Sequence, residues 1–407
     1  MTADHPLRNP AFLALLSFRL LVTLSYQIVA VVVGWHIYEL THDTLALGLI
    51  GLAEVIPYFC FALFAGYAVD HYSRRRIGLF ACALLLVNAT MLTALSARGV
   101  SATEAWSIYG AVALSGIARA FISPAYNSIF GLILRREQFG RAAGIGSSIF
   151  QGALVIGPAL GGALVGWASK TAAYGTALAL AGAAMLALAL LRFIEPPSHG
   201  QRAPIFASIG EGLRFVFGNQ VILGAQALDM FAVLFGGAVA LLPAFIHDIL
   251  HYGPEGLGIL RAAPAMGAVA TGLMLAHRPL DRHAGRLLLA TVAGFGMCII
   301  LFALSRNFWL SAVLLLLSGA FDGVSVVLRS TILQLATPDA MRGRVSSING
   351  LFIGSSNELG AFESGVAARL LGLVPSVIFG GSMTLLVVAI TSRLAPKLRQ
   401  LHVSQLQ

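Results

Sequence analysis

The chain has 407 residues, of which 58% are hydrophobic and 11% charged, with a mean hydropathy of +0.85 and a net charge of +9. A soluble domain needs about 25% charged residues to cover its surface, so this composition excludes a soluble globular protein. The basic excess falls in short segments between apolar runs and reads as membrane topology, so no nucleic-acid partner is expected.

The opening stretch, MTADHPLRNP, has one arginine and no small-residue cleavage site after a short apolar core. The first helix is therefore expected to remain in the protein. Apolar runs of about 20 residues, enough to cross roughly 30 Å of hydrocarbon, follow along the chain. They lie near 12–36, 45–69, 77–97, 105–134, 141–168, 172–193, 220–246, 256–276, 286–304, 307–335, 345–371 and 374–392. Twelve membrane-spanning helices are expected, an all-α integral membrane protein embedded in a lipid bilayer. Between the sixth and seventh runs, FIEPPSHGQRAPIFASIGEGLRFVFGNQ (193–220) reads as a linker followed by a short amphipathic helix on the membrane surface. The expected division is a bundle over 1–193, a linker over 194–219 and a second bundle over 220–407. If the spans alternate, Arg74, Arg75, Arg135, Arg141, Arg214, Arg286, Arg344 and Arg393 share one side, while Arg98, Lys170 and Arg306 lie on the other. Positive charge collects on the cytoplasmic side, which places both termini inside.

The chain repeats itself. LSG at 114–116 recurs at 317–319, an offset of 203 (317 − 114), and Leu132 and Arg141 meet Leu335 and Arg344 at the same offset. Six spans per half repeated in one direction imply two pseudo-symmetric bundles related by an axis along the membrane normal. The repeat also relates two charges, Arg119 and Asp322, each near midspan. A charge at the bilayer centre costs roughly 2.5–3.5 kcal/mol on insertion scales. The axis would bring these two residues to one depth, facing a shared interface. They could lock two helices together or form a polar site in a central cavity, and intramembrane charges usually mark substrate or ion pathways. Glu54, Asp229, Glu358 and Glu363 also lie inside expected spans. A buried carboxylate is costly to ionise and so can carry a proton, the chemistry of a proton-coupled carrier. Arg19, Arg119, Arg261 and Arg329 are available to neutralise the carboxylates, and Arg329 follows Asp322 by seven residues, close to the same helical face.

No metal or cofactor is expected. Cys60, Cys82 and Cys298 lie in spans without ligand spacing. His247 and His251 stand at i and i+4, but HDILHYGPE lacks the glutamate of HExxH. There is no GxxxxGK[ST] to cradle ATP, and Lys170 and Lys397 are the only lysines. No HExxH, GxSxG or midspan His–Asp pair supports a membrane-embedded enzyme.

Two motifs carry a family resemblance that extends over essentially the whole chain. GYAVDHYSRRR (66–76) resembles the loop signature of the major facilitator superfamily, Gly-x-Leu-Ala-Asp-Arg-x-Gly-Arg-Arg. Gly66, Asp70, Arg74 and Arg75 match; His71 and Ser73 depart from it. GALVIGPALGG (152–162) is similar to the glycine–proline motif of that superfamily's antiporters, through Gly152, Gly157, Pro158, Gly161 and Gly162. TPDAMRGRVS (337–346) resembles the branch that includes siderophore and drug exporters. The resemblance implies a cytoplasmic gate at the first motif and a cavity lined by spans 1, 4, 7 and 10, which favours Asp229 and Asp322 as functional carboxylates. It implies a monomeric secondary transporter of the bacterial inner membrane that uses proton antiport to export an amphipathic small molecule, siderophore or drug-like. An importer of lysophospholipid or nutrient with the same fold is the alternative.

Overall fold

A computed structural model describes residues 6–101, 104–191, 193, 205–277, 284–338 and 341–401. Side chains at 63, 66, 67, 70, 136, 205–209, 212, 276, 277, 342–344, 346, 347, 351 and 355 lie outside the description. Among the described residues every regular element is helical. That follows from the solvent: lipid offers no hydrogen bonds, so each spanning segment must satisfy its own backbone.

The helices begin where the chain supplies caps. Helix α1 (Pro10–Thr41) starts at Asn9, whose side chain accepts from the Ala11 N–H at 3.0 Å, and has proline in its first turn. It ends at His42 in the left-handed region, with φ 48°. Helices α2 (Thr44–His71) and α3 (Arg74–Arg98) are joined by a short turn, with Ser73 capping α3. Then come α4 (Ala105–Ile133), α5 (Phe139–Trp167) and α6 (Lys170–Leu190), the last capped by Ser169. The expected linker lies outside the described residues over 194–204; its helix, α7 (Ile205–Gly218), is present.

The seventh span departs from expectation. Instead of one helix over 220–246, α8 (Gln220–Phe235) stops at Gly236-Gly237. A 3₁₀ turn (Ala238–Leu241), the short α9 (Leu242–Ala244) and a π-helical segment (Phe245–Leu250) follow. Two successive glycines let the backbone leave the α-helix where it approaches α13: a side chain on Gly237 would overlap the Gly360 carbonyl. The remaining elements are α10 (Pro254–His277), α11 (Ala284–Leu304), α12 (Phe308–Ala336), α13 (Arg342–Leu371), α14 (Leu373–Leu394) and α15 (Pro396–Arg399). Among the described residues eleven helical stretches are long and apolar enough to cross a membrane, Gln220–Leu250 counting as one. The 30-residue α13, which carries Glu358 and Glu363, covers the eleventh expected run, 345–371, and is not among those eleven stretches.

The repeat extends to helix boundaries. Helices α4 and α12 are both 29 residues long, and their first and last residues differ by 203 (308 − 105 and 336 − 133). Arg119 and Asp322 each stand 14 residues from either end of their helix.

The chain forms two compact units, Met1–His42 with Leu52–Gln201 and Gly253–Ala262, and Asp43–Gly51 with Arg202–Tyr252 and Ala263–Gln407. The first unit is packed around α1, α3, α4 and α6 through Leu15, Phe18, Cys82, Leu85, Ala118 and Leu188. The second is packed around α8, α11, α12 and α15 through Leu228, Leu288, Val292, Leu328 and Leu398. There α7 rests through Val216 against Ile222, Val345 and Ile348.

Candidate transport site

A charged side chain in an apolar helix is stable when an opposite charge and hydrogen bonds replace water. In the first unit Arg119 meets that condition in α2 and α1. Its Nη1 pairs with Glu54 Oε1 and donates to the Tyr26 hydroxyl at 3.0 Å, while Tyr26 donates to the same carboxylate oxygen at 2.8 Å. The guanidinium also lies 4.9 Å from the Tyr26 ring centroid and 5.7 Å from that of Tyr58. Gly116, one turn before Arg119, makes the pairing possible. A Cβ there would overlap the Glu54 carbonyl, so glycine allows α4 to approach α2 at the level of the pair.

In the second unit Arg329 on α12 bridges two aspartates. One Nη pairs with Asp229 of α8, and the other stands 3.8 Å from Asp322 of its own helix; the Nε donates to the Ser325 carbonyl at 3.3 Å. The seven-residue spacing thus delivers Arg329 and Asp322 on one face. Asp229 and Arg329 side chains are 9% and 11% exposed, whereas Asp322 is 43% exposed and held by the longer contact. Gly319, the repeat partner of Gly116, again removes a side chain at a crossing, here against the Pro264 backbone of α10.

Arg119 and Asp322 therefore each find an opposite charge within their own unit. Sequence reasoning missed Tyr26, although its signal was present: 26 and 229 differ by the same 203 as 119 and 322. The repeat places Tyr26 with Arg119 in one unit and Asp229 with Asp322 in the other. Glu358 is half-buried, and its carbonyl lies where a Gly51 side chain would project.

The motif residues have structural roles. Arg74 donates to Ser128 Oγ at 2.7 Å, which ties α3 to α4. Arg75 donates to the carbonyls of Leu188, Ala189 and Leu191, closing the C-terminal end of α6 where carbonyls lack helical partners. Gly66 and Asp70 lie in α2 with side-chain positions outside the described residues, as are the Arg342 and Arg344 side chains and Asp339 of the third motif.

In α5 a side chain on Gly157 would meet Gln27, one on Gly161 would press on Ile28, and one on Gly162 would strike the Gly258 backbone. Gly152 has open space beyond it. Helix α5 runs on without interruption through Pro158. The pattern recurs in the second unit at the repeat offset: Gly360 lies against the Leu234 carbonyl and Gly365 against Gly48.

His247 Nδ1 lies 2.6 Å from Asp248 and His251 Nδ1 lies 3.3 Å from the His247 carbonyl. No group of three possible metal ligands occurs among the described residues.

The model of the transmembrane secretion effector family matches residues 1–406. The enterobactin exporter EntS of Citrobacter koseri is 28% identical over 371 residues, covering 89% of this chain and 85% of that protein; EntS from Escherichia coli matches to the same extent. Among solved structures, a POT family transporter in complex with 5-aminolevulinic acid superposes with a TM-score of 0.73 at 12% identity, covering 95% of this chain and 96% of that one. The nucleoside transporter NupG superposes with a TM-score of 0.69 at 14% identity, covering 94% and 98%. Long apolar helices in a twofold sequence repeat, with charged clusters at the same place in each half, suit the transport fold shared by these structures. The chain belongs to the transmembrane secretion effector family of the major facilitator superfamily.

Proposed function

We propose that this secondary transporter exports an amphipathic small molecule of the siderophore or drug-like class in exchange for protons, and that Asp322 is the proton-carrying group. The observation that carries the reading is the Asp229–Arg329–Asp322 cluster. It holds two acids and one base, with one acid buried in a tight pair and the other half-exposed at 3.8 Å. Protonating Asp322 leaves the Arg329–Asp229 pair intact, so a proton can arrive and leave without uncovering a buried charge. Release of that proton restores a negative group beside Arg329, a change in local charge able to bias the transport cycle. The Tyr26–Glu54–Arg119 cluster, neutral and cross-bonded, then serves as the positioning half of the pathway.

Export is favoured over import by the likeness to EntS, an enterobactin exporter, and by the family description. The distribution of positive charge supports an inner-membrane protein with both termini in the cytoplasm. We read bundles over 1–193 and 220–407 joined by 194–219, acting as a monomer, with the 66–76 segment at the cytoplasmic gate and the Gly157–Gly162 segment as the antiporter element. The test is uptake of enterobactin and of a panel of amphipathic drugs into inverted membrane vesicles energised by respiration. Accumulation that collapses with nigericin, and that ATP does not sustain once the proton gradient is dissipated, is expected. Accumulation indifferent to the proton gradient would remove the antiport reading.

A further inference from the structure

One intramembrane arginine has no acidic partner among the described residues. Arg19 lies nine residues into α1, about 14 Å along the axis at 1.5 Å per residue. Its guanidinium stands 4.2 Å from the ring centroid of Tyr126 and 4.8 Å from that of Phe150. Rings against the guanidinium faces displace water, so hydrogen bonding is left to the in-plane N–H groups. The Tyr126 hydroxyl is a polar neighbour, but no carboxylate pairs with Arg19, and its Nε is buried without an acceptor. A buried unmet donor is destabilising, and more so on a charged group.

The repeat supplies a second, independent observation. Adding 203 to 19, 126 and 150 leads to Ile222, Arg329 and Ile353, and these three line a cavity of about 60 Å³ in the second unit together with Gln226, Ser330 and Asn349. Each unit thus brings one guanidinium to the same place, from α1 in the first and from α12 in the second. In the second unit two aspartates answer it; in the first no carboxylate among the described residues does. The helices that carry Arg19, Tyr126 and Phe150 also expose polar side chains. Ser17 on α1, Ser123 and Asn127 on α4 and Ser147 on α5 are exposed at span depth. Polar side chains are tolerated there when they face water or a bound molecule rather than lipid.

We infer that Arg19, caged by Tyr126 and Phe150, binds a carboxylate-type oxyanion on the transported molecule. A planar carboxylate can meet the guanidinium edge with two parallel hydrogen bonds, and the flanking rings accept the apolar part of an amphipathic substrate. The inference rests on the exporter reading and names one group of its substrate. An anionic lipid headgroup offers related chemistry, so the experiment separates the two sources.

Purified protein in phosphatidylcholine nanodiscs is titrated calorimetrically with 1-naphthoate and with its uncharged analogue 1-naphthylmethanol. Hydrogen bonds to a charged group contribute about 1.5–3 kcal/mol, so naphthoate is expected to bind about tenfold tighter or more. Arg19→Gln is expected to abolish that preference, and Arg19→Lys to keep part of it, because an ammonium retains the charge without the planar fork. Arg19→Lys also keeps the test decisive if Arg19→Gln folds poorly. Equal binding of the two probes by the unaltered protein overturns the inference, as does a preference that survives in Arg19→Gln. Loss of naphthoate binding on adding phosphatidylglycerol would reassign the site to lipid and overturn it as well. A failure of these kinds with intact proton-driven uptake in vesicles leaves the exporter reading standing. A preserved naphthoate preference with no vesicle transport of any kind removes the exporter reading instead.

Discussion

The two units place charged clusters at matching positions and fill them differently. In the first, Glu54 and Arg119 balance to zero and a tyrosine hydroxyl joins them. In the second, Asp229 and Asp322 outnumber Arg329, leaving a formal charge of −1. The backbone frame is common: helices α4 and α12 have the same length and keep the same offset, and a glycine three residues before the central charge opens a crossing in both. A duplicated frame therefore does not impose duplicated chemistry. Close crossings are set by where side chains are absent and tolerate no exchange, whereas the charge at the crossing is free to change provided its partner changes with it. One unit is a balanced lock and the other carries a surplus acid, which is why proton chemistry is assigned to the second.

The largest expected effect tests that asymmetry through stability. Arg329→Ala leaves Asp229 buried without its partner and should cost roughly 3–5 kcal/mol, read as a lowered midpoint of thermal unfolding in detergent. Adding Asp229→Asn should recover most of the loss. Arg119→Ala should cost less, because the Tyr26 hydroxyl still donates to Glu54, and Glu54→Gln should rescue it. A greater loss for Arg119→Ala than for Arg329→Ala would invert the comparison.

Next comes coupling. Asp322→Asn should fold like the unaltered protein, since its carboxylate is half-exposed and Arg329 keeps Asp229. It should lose gradient-driven accumulation while retaining substrate exchange at equal pH. An Asp322→Asn variant that still concentrates substrate against its gradient would move the proton to another group and end the division of roles between the units.

The smallest effects sharpen the common frame. Gly116→Ala and Gly319→Ala each force a methyl group against neighbouring backbone and should each cost roughly 1–3 kcal/mol. Gly152→Ala meets open space, so the higher helix propensity of alanine should leave stability unchanged or raise it by up to about 1 kcal/mol. Equal melting points for Gly116→Ala and Gly152→Ala would show that the α2–α4 crossing is looser than its geometry.

Much of the molecule was legible from residue order alone. Apolar run length specified the spans because bilayer thickness sets helix length, and the 203-residue offset specified a twofold plan because equivalent positions must lie at equivalent depth. The same offset located Arg119 and Asp322 at the centres of α4 and α12, and the seven-residue spacing put Arg329 beside Asp322. What residue order could not decide was which helices become neighbours. That choice made Glu54 the partner of Arg119, recruited Tyr26, tied Asp229 to Arg329, and left Arg19 between two rings with no acid beside it among the described residues. It also separated Gly152, which faces open space, from Gly157 and Gly162, which sit in crossings, and it broke the seventh span at Gly236-Gly237 where α13 comes close. The physical reason is common to all of these. Periodicity along one chain reports depth and face, whereas ion pairing and close packing depend on distances across helices, and those exist only once the helices are assembled.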